Sequence, residues 1–213
     1  MTIAELIAAV RTDILDDTVT PYLWSDAQLT RYANEALKEA CKRAPLLRKT
    51  YTIRIITGRA EYTLDKSVRT ILFAKLNSQT QSLVQSTDTT LSAIDYQWRD
   101  LDGVPKAYVR SNYKLRLYPN PTADDVLVLN TTNIPDEDFD IEDDFDQTYI
   151  ESLGYWVAYK AYMLNDADAF NPVKASEYRA LFDAAFGLGK SAKYDQVAME
   201  NPIHNTVAPV RMC

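Results

Sequence analysis

Residues 149–164 read Tyr-Ile-Glu-Ser-Leu-Gly-Tyr-Trp-Val-Ala-Tyr-Lys-Ala-Tyr-Met-Leu, and only Glu151, Ser152 and Lys160 among them are clearly polar. A helix this apolar on every side has to be buried on several faces. Other parts of the chain can supply the cover, or neighbouring subunits can; the segment alone fits both. It is too short to span a bilayer, and no run of about 18 apolar residues occurs elsewhere, so no membrane span is expected.

Helical signals stand on both sides of it. Thr2 with Glu5 forms a capping box, in which the hydroxyl takes an orphan backbone N–H and the carboxylate reaches back. Ile3, Leu6, Ile7, Val10 and Ile14 follow at helical spacing, until Asp16-Asp17 and Pro21 end the run. Ser25 with Gln28 makes a second capping box, with Trp24 and Leu29 at staple positions. Leu29, Tyr32, Ala33, Ala36, Leu37 and Ala40 line one face of that helix, and Pro45 stops it. Near the other end, Asn171 suits a cap, Pro172 the first helical position and Gly187 the stop, with Tyr178, Leu181, Phe182 and Ala185 as a buried stripe.

Between the helical segments the period changes from 3.6 to 2. Tyr51, Ile53 and Ile55 alternate with Thr52 and Arg54; Thr57-Gly58-Arg59 is a turn, and Glu61–Leu64 a return strand. Val68–Leu76 and Val126–Asn130 read as strands, Lys106–Arg110 and Lys114–Tyr118 as a hairpin over Ser111-Asn112, and a short helix fits near Thr90–Trp98. The expected fold class is therefore α+β: a helical bundle of four main helices with an inserted, mainly β unit and an extended C-terminal tail. The expected bounds are 1–49 and 146–189 for the bundle, 50–135 for the insert, 136–145 for an acidic linker and 190–213 for the tail.

Hydrophobic residues are 46% of the 213 and charged residues 25%, enough for a real core. The net charge of −7 is local: residues 136–146 hold eight acids and no base, and without them the remainder is about neutral, one unit positive. That is not the basic stripe of a generic nucleic-acid binder. The N-terminus, Met1-Thr2-Ile3-Ala4-Glu5, has no basic region before its apolar residues and no signal-peptide layout. Cys41 and Cys213 make no disulfide framework or zinc site and suit a reducing compartment, and the single His204 leaves no room for a histidine cluster.

Motifs with a catalytic or metal-binding mechanism fail on inspection. Asp136, Asp138 and Asp140 alternate as a calcium loop begins, but Ile141 stands where the loop needs glycine and Gln147 where it needs glutamate. Gly187-Leu-Gly189-Lys190-Ser191 resembles the end of a phosphate loop, but Ala184 replaces the earlier glycine and the segment ends a helix instead of opening one. Cys41 reads as a packing residue, and His204 lies in the proline-bearing tail with no orienting partner nearby. No catalytic residue, metal site or cofactor is expected. A soluble carbohydrate- or ligand-binding protein with a β module stays open as an alternative, as does a hydrolase whose carboxylates meet only in the fold.

Several stretches, in order, carry a family resemblance: Pro21-Tyr-Leu-Trp-Ser-Asp26, Asn34-Glu-Ala-Leu-Lys-Glu-Ala-Cys-Lys-Arg43, Glu61-Tyr-Thr-Leu-Asp65, Gly103-Val-Pro-Lys-Ala-Tyr-Val109, Leu115-Arg-Leu-Tyr-Pro-Asn-Pro121, Trp156–Ala161 and Asn165–Pro172. The pattern over about residues 1–190 resembles the head–tail adaptor (connector) proteins of tailed bacteriophages. The resemblance implies a structural virion protein of the neck, made in the host cytoplasm. It implies a ring, usually of twelve copies, under the portal protein, and a tail or stopper/nozzle protein beyond it. It implies DNA passing through without specific binding, a C-terminal tail docked on the portal, and no membrane association.

Three sets of residues are candidates for those roles. Tyr194, Val197, Met199, Ile203, Val207, Val210 and Met212 space apolar contacts along the tail, where they can lie in a partner groove. Asp136, Glu137, Asp138, Asp140, Glu142, Asp143 and Asp144 can face the channel and repel phosphate, or sit on an outer rim. Tyr155, Trp156, Tyr159 and Tyr162 can form the subunit interface, since aromatic side chains with a polar tip are enriched there.

Overall fold

The structure, a computed structural model, describes residues 1–136, 141 and 145–189. Its α-helices there are α1 (Ile3–Ala9), α2 (Asp26–Arg43), α3 (Asp88–Ile94), α4 (Ile150–Tyr162) and α5 (Pro172–Phe186). Its strands are β1 (Arg48–Ile55), β2 (Glu61–Thr63), β3 (Val68–Leu76), β4 (Val84–Ser86), β5 (Asp102–Gly103), β6 (Ala107–Ser111), β7 (Lys114–Tyr118), β8 (Asn120–Pro121) and β9 (Asp125–Asn133). The chain divides into two compact units, one from Met1–Lys49 with the described residues of Thr132–Gly189, the other from Thr50–Thr131.

In the first unit the helix ends lie where the caps stand. Thr2 Oγ1 accepts from Glu5 N at 3.1 Å while Thr2 N donates to Glu5 Oε2 at 2.9 Å. Ser25 and Gln28 repeat the arrangement at the start of α2, which ends at Arg43, just before Pro45. Asn171 Oδ1 accepts from Lys174 N at 3.1 Å, Pro172 opens α5, and Gly187 follows its last residue with φ +82°, a left-handed value that glycine reaches without a Cβ penalty.

The first helix departs from expectation. After Ala9 it widens into a π-helical turn over Val10–Leu15 and stops at Asp16, which has φ +53°. Arg11 and Asp17, both buried, pair directly across this stop. The Arg11 guanidinium also donates to Trp24 O at 2.9 Å and Asp26 Oδ1 at 2.7 Å, and Asp17 accepts from the backbone of Leu23 and Trp24. The Tyr22 ring lies 4.0 Å from Arg11 Cζ. A buried charge has to be paired and hydrogen-bonded, and meeting that need fixes the path from the first helix into α2.

The second unit holds three sheets: a three-stranded one in the order β1-β9-β3, a four-stranded one in the order β2-β7-β6-β4, and the β5-β8 pair. β6 and β7 are antiparallel with Ser111 opposite Lys114, so the loop is Asn112-Tyr113, one residue beyond the expected turn. Asn112 takes φ +50°, and asparagine tolerates that conformation better than serine would. β2 does not return on β1; it pairs with β7, Tyr62 opposite Leu115. Leu115, Leu117, Leu127, Leu129 and Ile55 are fully buried in this unit's core. Arg110 is buried too, and its guanidinium donates to the carbonyls of Val68, Arg69 and Asn112.

The α+β class stands, but the four-helix bundle does not. Five α-helices occur among the described residues, together with substantial multi-stranded sheets. α3, capped by Thr87 and anchored through Leu91, lies within the mainly β unit, and α1 is a seven-residue helix that runs into the π turn. Helical periodicity marks an apolar face; it carries no information on whether the backbone keeps α geometry or where a short capped helix packs. The expected tail, 190–213, lies outside the described residues.

Candidate functional site

One side of α4 is well covered. Ile150, Leu153, Val157, Ala158 and Ala161 are fully buried in the first unit's core, with Leu6, Val10, Leu29, Leu37 and Phe182. Gly154 lets the first helix approach closely: a Cβ there would lie 2.8 Å from Val10 Cγ2. Tyr162 is also buried. Its hydroxyl donates to Ile14 O at 3.0 Å, its ring meets Trp24 edge-on at 6.1 Å between centroids, and it stacks on Tyr178 at 5.9 Å. It faces its own protomer.

The remaining surface of α4 carries Tyr155, Trp156 and Tyr159, all half-buried. Tyr155 stacks on Tyr178, with centroids 6.4 Å apart. Trp156 lies against Tyr159 at 5.2 Å and Phe182 at 5.0 Å, and its Nε1 is buried without an acceptor among the described residues. The Tyr159 hydroxyl accepts from Arg179 at 3.3 Å, and Lys160 pairs with Glu35 at 2.9 Å. The Tyr178 hydroxyl is pushed up in pKa by its burial first, then by the neighbouring Tyr162. The result is a band of aromatic rings with polar tips, part covered and part open.

Arg43 holds one end of that band. Its side chain is 4% exposed, pairs directly with Asp183 of α5, and donates to Glu39 Oε1 at 3.0 Å and Gly187 O at 2.9 Å. Its guanidinium also lies 5.0 Å from the Phe182 centroid and 5.6 Å from that of Trp156. The role of Arg43 was missed in the sequence; the only local signal is Glu39 four residues before it, a spacing that supports an intrahelical pair.

Of the acidic set, Asp136 is exposed, 3.7 Å from Lys49 Nζ, while Glu137, Asp138, Asp140, Glu142, Asp143 and Asp144 lie outside the described residues. Ile141 and Phe145, from the same run, are buried in the first unit's core. Tyr194, Val197, Met199, Ile203, Val207, Val210 and Met212 lie outside the described residues as well. Cys41 is buried. Among the described residues no group of three or more His, Cys, Asp or Glu could hold a metal ion, and no helix is long and apolar enough to cross a membrane.

The remaining discriminator is the order of motifs along the whole chain. Residues 1–206 match the family model described as SU10 adaptor protein. The chain belongs to the SU10 adaptor protein family. This agrees with the resemblance to phage head–tail adaptors, and it makes the protein a structural adaptor and virion component that works with other head and tail components. No curated protein matches the sequence. Family membership favours the adaptor role over the ligand-binding alternative.

Proposed function

We propose that this adaptor forms a ring in the phage neck, joining the portal protein to the tail or to a stopper/nozzle component and leaving a channel for DNA. The observation that carries the reading is the open part of α4: Tyr155, Trp156 and Tyr159 keep exposed surface on a helix with little polar character. A neighbouring copy in a closed ring, twelve in number, would cover such a surface. Tyr162 supports the band from inside the protomer and does not take part in the contact. The spaced apolar residues Tyr194 to Met212 dock on the portal, and their ordering free energy is met by that contact. The acids from Asp136 to Asp144 face the channel, where carboxylates repeated around a ring keep the duplex from adhering.

Co-sedimentation with purified portal rings tests the reading, using the full chain and a 1–190 truncation. Binding by the full chain alone is the expected result. Binding by both forms moves the portal contact to the helical unit, and binding by neither removes the portal role.

A further inference from the structure

The first unit carries two exposed patches, one with two carboxylates and one with two bases, and none of the four has an oppositely charged side chain within salt-bridge distance among the described residues. One is a groove of about 260 Å³ between the first helix and α4, with Leu6, Val10, Ile14 and Tyr155 as apolar lining and Asp13 and Glu151 as its carboxylates; Met1, whose N-terminal ammonium donates to Gln147 Oε1 at 2.7 Å, lines it as well. Both acids are exposed, and neither has a cation within salt-bridge distance among the described residues. The other surface is the outer face of α2. Arg31, Asn34 and Lys38 recur there at i, i+3 and i+7, all exposed, while Leu29, Tyr32, Ala33, Ala36 and Leu37 turn the opposite face into the core. Arg31 and Lys38 likewise have no carboxylate partner among the described residues; Lys42, further along, is 3.7 Å from Glu39.

Lone surface charges have no fixed meaning. Here the acids rim an apolar groove, the bases lie on one face of a helix of 18 residues, and the two surfaces sit on different elements of one compact unit. Two unlike, complementary patches on every copy suit a head-to-tail interface, which makes a ring when the rotation between copies closes and a filament when it does not. We infer that α2 of one copy lies across the groove between the first helix and α4 of the next, with Arg31 and Lys38 meeting Asp13 and Glu151. The aliphatic stems of the two bases cover Tyr155 and the groove lining, and their charged heads reach the carboxylates at the rim. Arg31 and Lys38 are seven residues apart, about 10 Å along the helix axis, so both engage from one docked pose. The ring is that of the reading above; what is added is which two surfaces of each copy meet.

Charge reversal in the full-length chain tests the assignment, by light-scattering mass and negative-stain images, with and without portal rings. All four side chains are exposed, so D13K/E151K and R31E/K38E should keep the wild-type circular dichroism, with a slightly lower melting temperature for D13K/E151K because Glu151 stands in the first turn of α4. Each double variant alone presents like charges at every contact and should stay at the mass of a protomer. An equimolar mixture should recover rings, because each contact then pairs a basic surface with an acidic one. Alternation of two variants closes with an even number of copies, as twelve allows. If the wild type forms rings and either double variant does so equally well, the two surfaces are not the interface and the ring reading survives. Folded variants whose mixture gives no rings also overturn the pairing. A wild-type chain that forms no ring in either condition removes the ring reading itself.

Discussion

Gly154→Ala sets two effects of similar size against each other. Alanine in a helix interior is worth about 0.8–1 kcal/mol over glycine, which argues for stabilisation. The new methyl would stand 2.8 Å from Val10 Cγ2, with Leu6 Cδ1 at 3.7 Å and Ile14 Cδ1 at 3.8 Å. Overpacking a tight core costs about 1–3 kcal/mol. Val10 cannot move aside easily: it is 2% exposed, β-branched and stiff about χ1, and it is followed directly by Arg11, which is held by Asp17, Trp24 and Asp26. The clash should win, leaving a net loss of up to about 2 kcal/mol, or a fall of up to about 8 °C in melting temperature for a chain of this size.

The decisive measurement is a double-mutant cycle with Val10→Ala. Truncating Val10 alone costs about 2 kcal/mol through lost burial and the cavity left behind. In the double variant the methyl on residue 154 occupies part of that space, so its loss should fall short of the summed single losses by about 1 kcal/mol or more. Because the chain has two compact units, urea unfolding should be followed by hydrogen exchange across residues 3–15 and 150–162, which reports the first unit alone. A Gly154→Ala variant that is more stable than wild type, with losses that add in the cycle, would refute the close approach of the first helix to α4.

Two further outcomes follow from the charged and titratable groups. Arg11→Met removes the cation from a buried pair and leaves the Asp17 carboxylate uncompensated, which should cost about 3–5 kcal/mol; Arg11→Met with Asp17→Leu should recover much of it, and thermal melts of the two variants check this. Burial pushes the Tyr108 hydroxyl up to about 12 from its usual 10. Between those pH values the unfolded chain loses a proton that the folded chain keeps, so stability falls as pH rises from 10 towards 12. Tyr108→Phe should make that decline measurably shallower in hydrogen exchange or melting series, and an unchanged slope would show that the hydroxyl titrates normally.

Much of the local architecture was legible because it depends on neighbours in sequence. The capping boxes at Thr2 and Ser25, the Asn171-Pro172 start and the Gly187 stop each use residues at most a few positions apart, and each is where the pattern puts it. The β2 pairing and the π turn were not legible, since both are settled by distant groups. Tyr62 pairs with Leu115 across more than fifty residues, and the first helix ends where Arg11 can reach Asp17, Trp24 and Asp26. Short apolar strands advertise that they pair, not with which partner.

The candidate surface was legible in part for a related reason. Hydrophobicity alone marks residues 149–164 as needing cover and says nothing about which side the protomer covers itself. That division depends on contacts such as Trp24 with Tyr162 and Tyr155 with Tyr178, made between segments far apart in the chain. Once they form, Tyr162 is committed to the core, whereas Tyr155 becomes the wall of a groove whose carboxylates, Asp13 and Glu151, come from two different helical segments. Neither acid belongs to the conspicuous run at 136–146, and in the sequence both look like ordinary helix-surface charges. The role inferred for them appears only when the fold sets them over one apolar floor, while the bases that would match them, Arg31 and Lys38, are displayed on another helix and turned away from that protomer's core.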